Sequence, residues 1–319
     1  MRSFPQLSKA LFCLLSLLWW STACTHNKKT EEKDPALENL SPEQQKAMEE
    51  YRAEVEIGRN MAGRLLGYYG IIDDDKVVGY VNQVGSYVAS YSDFPDRRYM
   101  FAVLKHESVN AFACPGGYIL VTIGALRNAH NEAELAAILG HEVAHVGKKH
   151  MFDALKKMKE KDLAEATKKK ETGGKMQEAL RVRERPQAEE TGAGTLLAKY
   201  LSGKAGASLN ILAAAQAGMT LMTEKGLGSE LEYEADSEGV KYAIRAGYEP
   251  RAMLAYLKRL EDKSESKIKN LEKTHPPVAD RRKAIAKLLK TLKAEDIIGA
   301  TGEDRFEKIK KTFPKAVKD

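Results

Sequence analysis

Residues 131–147 read NEAELAAILGHEVAHVG and decide both the fold and the chemistry of this 319-residue chain. Asn131, followed three residues later by Glu134, forms the capping-box pattern that opens a helix. Apolar residues then recur at helical spacing, at Leu135 and Ile138 among others, so one face of the helix is expected to enter a core. The stretch therefore predicts a capped, buried helix that ends in the sequence HEVAH.

The HEVAH segment has the spacing of a metal site. His141 and His145 are four residues apart, so on a helix both imidazoles point to the same side. Two neutral imidazoles at this spacing fit one tetrahedral zinc ion. Glu142 is turned about 100° from His141 around the helix, which places its carboxylate beside the metal, where it can take a proton from a zinc-bound water. The pattern predicts one Zn2+ per chain and hydrolytic chemistry.

A third protein ligand is required, and two regions offer one. His150 follows His145 by five residues, which turns it about 140° away on a continuing helix, so we interpret it as a helix-end residue and not a ligand. Downstream, GSELEYEAD (228–236) places Glu232 and Asp236 on one helix face. Glu232 can then bind zinc while Asp236 accepts a hydrogen bond from a ligating histidine. Three nearby carboxylates remain alternatives to Glu232, namely Glu230, Glu234 and Glu238.

Four blocks of the sequence together resemble a known family. In chain order they are NAFACPGGYI (110–119), HEVAH (141–145), EYEAD (232–236) and THPP with Arg281 (274–281). This order is similar to that of the gluzincin-type zinc metalloproteases that include HtpX, the CAAX prenyl proteases and BepA. The resemblance covers about residues 50–290. It implies an α+β, mostly α-helical, zincin-like domain and peptide-bond hydrolysis, and it favours the soluble periplasmic branch of the family.

The resemblance also implies a role for individual residues. The metal ligands would be His141, His145 and Glu232. Glu142 would be the catalytic general base, and Asp236 would lie behind a ligating histidine. The late block carries His275 and Arg281, which would lie near the metal and stabilise the oxyanion. Alternatively, a loop bearing His275 covers the zinc and keeps the enzyme latent, or the HPP segment is only a turn before the next helix.

The block at 110–119 implies where a polypeptide substrate binds. The β-rich segment Gly117–Ile123 would be an edge strand to which an extended peptide adds, held by backbone hydrogen bonds. The substrate-strand residues are then Asn110, Gly116, Gly117, Tyr118 and Ile119.

Periodicity places one small antiparallel sheet among many helices. Only residues 98–123 read as strand, with alternation over Arg98–Lys105 and a β-rich run over Gly117–Ile123. Helical patterns are predicted at 43–66, 75–92, 131–149, 153–183, 194–224, 229–246, 250–262 and 278–293. The uncharged run 205–223 raises the question of a membrane segment, but its polar and glycine residues favour a buried helix.

The N-terminus has the pattern of an export signal. Arg2 and Lys9 are followed by the apolar run 10–20, which is too short to span a bilayer. Residues 1–23 are therefore predicted to be a cleaved signal peptide. Cleavage is expected either by ordinary signal peptidase or at a lipobox-like site that lipidates Cys24. The lipid would tether the protein in the periplasm to the outer membrane. The remaining predicted regions are a tether (24–50), the protease domain (51–291) with a charged helical excursion (151–190), and a Lys-rich C-terminal tail (292–319).

Composition narrows the possible functions. Hydrophobic residues make up 43% of the chain, which excludes disorder throughout. Lys and Arg exceed Asp and Glu by 51 to 45, too small a surplus for nucleic-acid binding, and three cysteines cannot form a disulfide framework. Two alternatives to a working protease remain: a latent or inactive zincin acting as a lipid-anchored chaperone or assembly factor, and binding of anionic surfaces by segments such as 168–170. The pattern does not predict an oligomeric state.

Overall fold

The computed structural model describes residues 40–158, 211–261 and 271–316. The chain divides into two compact units, residues 1–45 and 46–319. In the first unit the described residues carry only the start of helix α1, and the predicted signal peptide and Cys24 lie outside the described residues. Most of the predicted charged excursion and residues 168–170 also lie outside them.

The described part of the chain is mostly helical. Its helices are α1 (Pro42–Tyr69), α2 (Asp75–Ser90), α3 (Ile123–Asn128), α4 (Glu132–Gly147), α5 (His150–Lys157), α6 (Ile211–Thr220), α7 (Ser229–Arg245), α8 (Ala252–Glu261), α9 (Val278–Thr291) and α10 (Glu303–Lys310). The strands are β1 (Met100–Leu104), β2 (Ala111–Cys114) and β3 (Tyr118–Thr122). This confirms the predicted α+β, mostly helical class.

Helix α4 begins where the capping box predicted. The Asn131 side chain accepts a hydrogen bond from the Glu134 backbone N–H, at 3.0 Å, and the Glu134 carboxylate reaches back to the backbone N–H of His130, at 2.8 Å. Every residue of α4 is buried. The helix ends earlier than the predicted residue 149, because Lys149 adopts a left-handed conformation (φ 57°) that starts a new helix, α5.

The sheet is small and mixed, with the strand order β1-β3-β2. β2 and β3 pair antiparallel, as expected, whereas β1 pairs with β3 in parallel. β3 is therefore the central strand, and the prediction that Gly117–Ile123 forms a free edge is wrong. Both of its edges already carry a ladder of backbone hydrogen bonds, so a peptide cannot add to it. The outer strands are β1 and β2. The outer edge of β1 is partly occupied, since Ile72 donates a backbone hydrogen bond to Val103, at 2.8 Å, and Ile71 bridges to Leu104. Among the described strands, the edge open to a peptide is that of β2.

A close crossing of α4 and α7 positions the site. A Cβ atom at Gly140 would lie 2.8 Å from the Gly239 carbonyl oxygen, and one at Gly239 would lie 2.5 Å from the His141 backbone nitrogen. Only glycine at both positions lets the two backbones approach this closely. The crossing brings the first turns of α7, which carry Glu232 and Asp236, beside the histidines of α4.

Buried apolar side chains of the described residues form two clusters, and the α4–α7 crossing belongs to the larger one. The larger joins α2, α4, α7, α8 and α9, while the smaller joins α1, α5 and α6. Ala214, Ala215 and Ala217 of α6 are buried, so a buried helix is confirmed for the described part of the uncharged run. Among the described residues, no helix has the length and apolar character needed to cross a bilayer.

Residues 292–316, grouped in the sequence as a Lys-rich tail, pack on the same domain. Phe306 of α10 is fully buried in the larger cluster. Arg305 donates two hydrogen bonds to Glu132, at 3.0 and 2.6 Å, and so joins α10 to the first turn of α4. The compact part of the chain therefore extends beyond residue 291.

Candidate metal centre

Three imidazoles and one carboxylate converge where α4, α7 and the loop before α9 meet. Glu232 Oε2 lies 3.5 Å from His141 Nε2, 3.6 Å from His145 Nε2 and 3.2 Å from His275 Nε2. The two α4 rings approach each other at 3.1 Å between their Nε2 atoms. Of the predicted metal ligands, the structure thus brings His141, His145 and Glu232 together, and it adds His275.

These groups fit a cation. In the part of the chain that the structure describes, Glu232 Oε2 is buried without a hydrogen-bond partner, an arrangement that costs free energy unless a bound group compensates. Ligand atoms around a tetrahedral zinc ion are about 3.3 Å apart, close to the separations observed here. The donor atoms of His141, Glu232 and His275 all lie within 4.8 Å of one another, and His145 joins them through His141 and Glu232.

Each of the three rings is held from behind at its other nitrogen. Nδ1 of His141 lies 2.9 Å from Asp236 Oδ1, and Nδ1 of His275 lies 3.2 Å from the backbone carbonyl of Leu271. Nδ1 of His145 lies 3.0 Å from Nδ1 of His150. Partners of this kind fix the tautomer and leave the Nε2 lone pair for a metal.

The charges of the centre also favour a cation. Burial lowers the pKa of His141, but the hydrogen bond to Asp236 and the nearby Glu232 carboxylate outweigh burial and raise this pKa to about 9. Burial raises the pKa of the Glu232 carboxyl, yet the neighbouring imidazoles, His145 foremost, hold this pKa far below its usual range. The carboxylates therefore stay ionised and attract positive charge, which a divalent ion supplies.

Asp236 lies where the sequence predicted, behind His141, one of the predicted metal ligands. Burial raises the pKa of Asp236, but the charge of Arg281 outweighs burial and keeps this pKa well below its usual range. Arg281 donates from Nε and Nη2 to the two oxygens of Asp236, at 2.9 and 2.6 Å. Arg281 is buried and also lines the cleft beside the centre. Its two hydrogen bonds connect it to His141 through Asp236.

Glu142 lies at the floor of a cleft beside the imidazoles. It is 5% exposed, and burial raises the pKa of its carboxyl above the ordinary value. The cleft has a volume of about 400 Å³ including its open mouth, and its lining combines the polar centre with apolar side chains, namely Val109, Ala125, Ile138, Met253, Leu257 and Leu271. A carboxylate with a raised pKa beside a metal centre is suited to accept and return a proton.

The predicted substrate-strand residues do not share one location. Asn110 lines the cleft, but Gly116 and Gly117 form the turn between β2 and β3. Gly117 has φ 101°, and a Cβ there would lie 1.8 Å from the Arg98 carbonyl oxygen. Tyr118 and Ile119 begin the central strand. The strand that faces the centre is instead β2: Ala111 lines the cleft with His141 and Glu142.

Two contributors to the site lack a sequence signal that predicts their role. His150 was predicted to point away from His145 on a continuing helix, but the left-handed Lys149 turns it back into contact. Glu54 of α1 is fully buried and accepts two hydrogen bonds from Arg97, at 3.0 and 2.9 Å, and one from the Gly116 backbone N–H, at 3.1 Å. Arg97 also donates to the Val146 carbonyl, at 2.7 Å, and so connects α1, the β2–β3 turn and the end of α4.

The chain is similar in sequence to several known proteases. The chain is 26% identical over 227 residues to the beta-barrel assembly-enhancing protease of Escherichia coli K12, covering 70% of this chain and 41% of that protein. It is 30% identical over 208 residues to the Yersinia pestis protein of the same name, covering 65% and 37%. A shorter match, 33% over 76 residues, covers 24% of this chain and 23% of the mitochondrial metalloendopeptidase OMA1 of Schizosaccharomyces pombe.

The chain spans about two fifths of the length of the bacterial relatives it matches. The profile of peptidase family M48 matches residues 76–289, which include both histidines of α4, Glu232 and the His275 loop. That range is well over half of the chain. The protein belongs to peptidase family M48.

Proposed function

We propose that this protein is a zinc-dependent endopeptidase that hydrolyses peptide bonds of unfolded or misassembled cell-envelope proteins. Membership of family M48 supports the peptidase activity. The observation that carries the proposal is the buried, unpartnered Oε2 of Glu232, which faces three imidazole Nε2 atoms beside the cleft that holds Glu142.

His141, His145 and Glu232 would hold the ion. When bound, zinc supplies Lewis-acid activation of water and of the scissile carbonyl. Glu142 accepts the proton of the attacking water and then donates it to the departing amide nitrogen, a role that its raised pKa suits. Asp236 keeps the proton of His141 on Nδ1 and so keeps Nε2 free for the metal.

The free edge of β2 is the surface where we place an extended substrate. Asn110 accepts a backbone hydrogen bond from Thr122 of β3, at 3.0 Å. Because inward and outward backbone groups alternate along an antiparallel pair, Ala111 and Ala113 direct theirs away from β3. The Ala111 N–H already donates to the side-chain oxygen of Asn110, at 2.9 Å, so a peptide would bond the Ala111 carbonyl and both backbone groups of Ala113. Ala111 lines the cleft with Glu142, and Ala113 lies beside His145. A peptide added here would pass along the metal centre, held by its backbone.

The cellular setting is proposed from the sequence and from the names of the relatives. The bacterial relatives are named as proteases that enhance beta-barrel assembly, and the predicted signal peptide (1–23), followed by Cys24, would export this chain to the cell envelope. We place the protein in the periplasm, tethered to a membrane by a lipid on Cys24. Recovery of the lipidated Cys24 peptide from membranes by mass spectrometry supports this placement, and its absence from Cys24→Ser membranes is the control.

A latent state is favoured by one observation. His275 Nε2 lies 3.2 Å from Glu232 Oε2, so His275 occupies the position of a fourth protein ligand. A zinc ion with four protein ligands has no open position for water or substrate. Burial lowers the pKa of His275 to about 3, so this ring is neutral and able to bind a metal. Movement of the 271–277 loop would open the site.

Removal and return of the metal tests the function. Casein unfolded beforehand is incubated with the purified protein, with the chelated protein, and with the chelated protein after one equivalent of zinc. We expect cleavage to stop on chelation and to return with zinc. Glu232→Ala should weaken zinc binding, whereas its exposed neighbour on α7, tested as Glu230→Ala, should not. Cleavage that survives complete chelation would contradict the proposal.

A further inference from the structure

His150 and Glu234 form a hydrogen-bonded chain that ends on a predicted metal ligand. His150 Nδ1 lies 3.0 Å from His145 Nδ1, and His150 Nε2 lies 3.3 Å from Glu234 Oε2. His150 is only 4% exposed, whereas the Glu234 side chain is 40% exposed and also pairs with Lys148, at 3.2 Å. This series of hydrogen bonds thus runs from the buried centre to the surface of α7.

The predicted metal centre determines which ring nitrogens of His145 and His150 carry a proton. His145 directs Nε2 towards His141 and Glu232, so a metal would bind there and the proton of His145 must lie on Nδ1. That N–H can donate only to an acceptor, and the atom it faces is Nδ1 of His150. His150 must therefore carry its own proton on Nε2, where Glu234 accepts it.

This arrangement differs from those behind the other two rings. His141 Nδ1 faces the carboxylate of Asp236, and His275 Nδ1 lies 3.0 Å from the Thr274 hydroxyl and 3.2 Å from the Leu271 carbonyl. None of these oxygens needs a particular tautomer in order to accept a hydrogen bond. His145 instead depends on a neutral imidazole, which accepts at one nitrogen only while its other nitrogen is protonated. Glu234 stabilises that tautomer of His150. The orientation of His145 is thus set by two side chains from α5 and α7.

We propose that His150, with Glu234 behind it, is a positioning residue that fixes the tautomer and orientation of His145 and thereby strengthens zinc binding. The inference rests on the proposed metal centre. His150 touches neither substrate nor ion and acts through His145. Partners of this kind contribute about 10–100-fold to metal affinity, so removing the acceptor should weaken zinc binding by that factor.

The test measures the zinc affinity of the full chain by competition with a chromophoric chelator, which requires no catalytic activity. His150→Leu keeps the volume and removes the acceptor, and we expect zinc affinity to fall by about 10–100-fold. His150→Gln, whose amide oxygen can accept from His145, should recover most of this loss. Glu234→Ala should give a smaller loss. The control is His106→Leu, which removes a partly buried ring whose contacts are with Tyr69 and Ser108.

A second readout separates positioning from packing. In nitrogen-15 NMR of the zinc-loaded protein, His145 should carry its proton on Nδ1 in the wild type and in His150→Gln. Zinc affinity of His150→Leu equal to that of the wild type overturns the inference, as does an equal loss in the Leu and Gln variants. Should His150→Leu not fold, an unchanged affinity in Glu234→Ala together with a loss in His150→Gln overturns it. Absence of zinc binding by the wild type would instead refute the metal centre itself.

Discussion

Arg281 donates two hydrogen bonds to Asp236, and the Asp236 oxygen that accepts one of them, Oδ1, lies 2.9 Å from Nδ1 of His141. Arg281 and Asp236 come from α9 and α7, while His141 lies on α4. Three helices that are distant in sequence therefore meet at one carboxylate. This relationship places Arg281 behind His141 of the candidate metal centre, in addition to its place in the cleft wall.

Replacing Arg281 by Ala should weaken zinc binding, by about 10–100-fold, because Asp236 would lose the two bonds that orient it behind His141. Chelator competition measures the change. Arg282→Ala is the matched control, since that neighbour pairs with Glu261 at the surface of the molecule. Unchanged zinc affinity with a reduced kcat would contradict the supporting role and would place Arg281 at the oxyanion instead.

Replacing His275 by Ala should raise the rate of casein cleavage, because removal of the fourth protein ligand leaves a position for water and substrate. Zinc affinity should fall at the same time, since one donor is lost. Initial rates at saturating zinc, with His106→Ala as the control, measure the effect. A lower kcat at full zinc occupancy would show that His275 serves catalysis and not latency.

Filling the apolar cleft should change which peptide bonds are cleaved. Ala125 and Ile138 both line the cleft, and Ala125→Met would leave less room for a substrate side chain. We expect cleavage beside large apolar residues to fall relative to cleavage beside Gly or Ala, by about 10–200-fold per methylene excluded. Mass spectrometry of casein fragments maps the sites. Ala255→Met, on the exposed side of α8, should leave the pattern unchanged, and the same pattern in both variants would count against this cleft as the specificity pocket.

Glu132 should make stability depend on pH. Burial raises the pKa of the Glu132 carboxyl, but hydrogen bonds from Arg305, Tyr80 and Tyr248 outweigh burial and lower this pKa. A lowered pKa stabilises the fold above the unfolded value of about 4.3, and this contribution is lost as the pH falls through the folded value. At pH 7 the wild type should be more stable than Glu132→Gln, by about 1–3 kcal/mol.

Urea unfolding of both proteins between pH 7 and pH 3 measures this difference. The difference in unfolding free energy should shrink at the acid end, because protonated Glu132 resembles the amide of the variant. A difference that does not change with pH would contradict the account of Glu132.

Local patterns predicted the parts of the site that lie on single helices. The capping box and apolar spacing predicted α4, and the four-residue spacings placed His141 with His145 and Glu232 with Asp236. These predictions succeeded because helical periodicity alone decides which side chains share a face. The resemblance to the metalloprotease family then indicated that the helix of Glu232 and Asp236 meets the helix of His141 and His145.

Features that depend on strand order or on one backbone angle were not predictable in this way. β3 was expected at an edge, but its β-rich run of apolar residues does not reveal that β1 joins it in parallel. His150 was expected to point away from His145, because nothing in KKH indicates that Lys149 is left-handed. Glu54 reads as one more charge on α1, yet α1 buries it against Arg97.

The central claim is that Glu142 serves zinc-dependent peptide hydrolysis, and the most direct test is cleavage of unfolded casein by the wild type and by Glu142→Gln, with zinc content measured in both. The account predicts one zinc per chain in each protein and a loss of about 10²–10⁴-fold in kcat for the variant. Glu230→Gln, an exposed carboxylate, should behave as the wild type. Cleavage by Glu142→Gln at a rate near that of the wild type would contradict the claim.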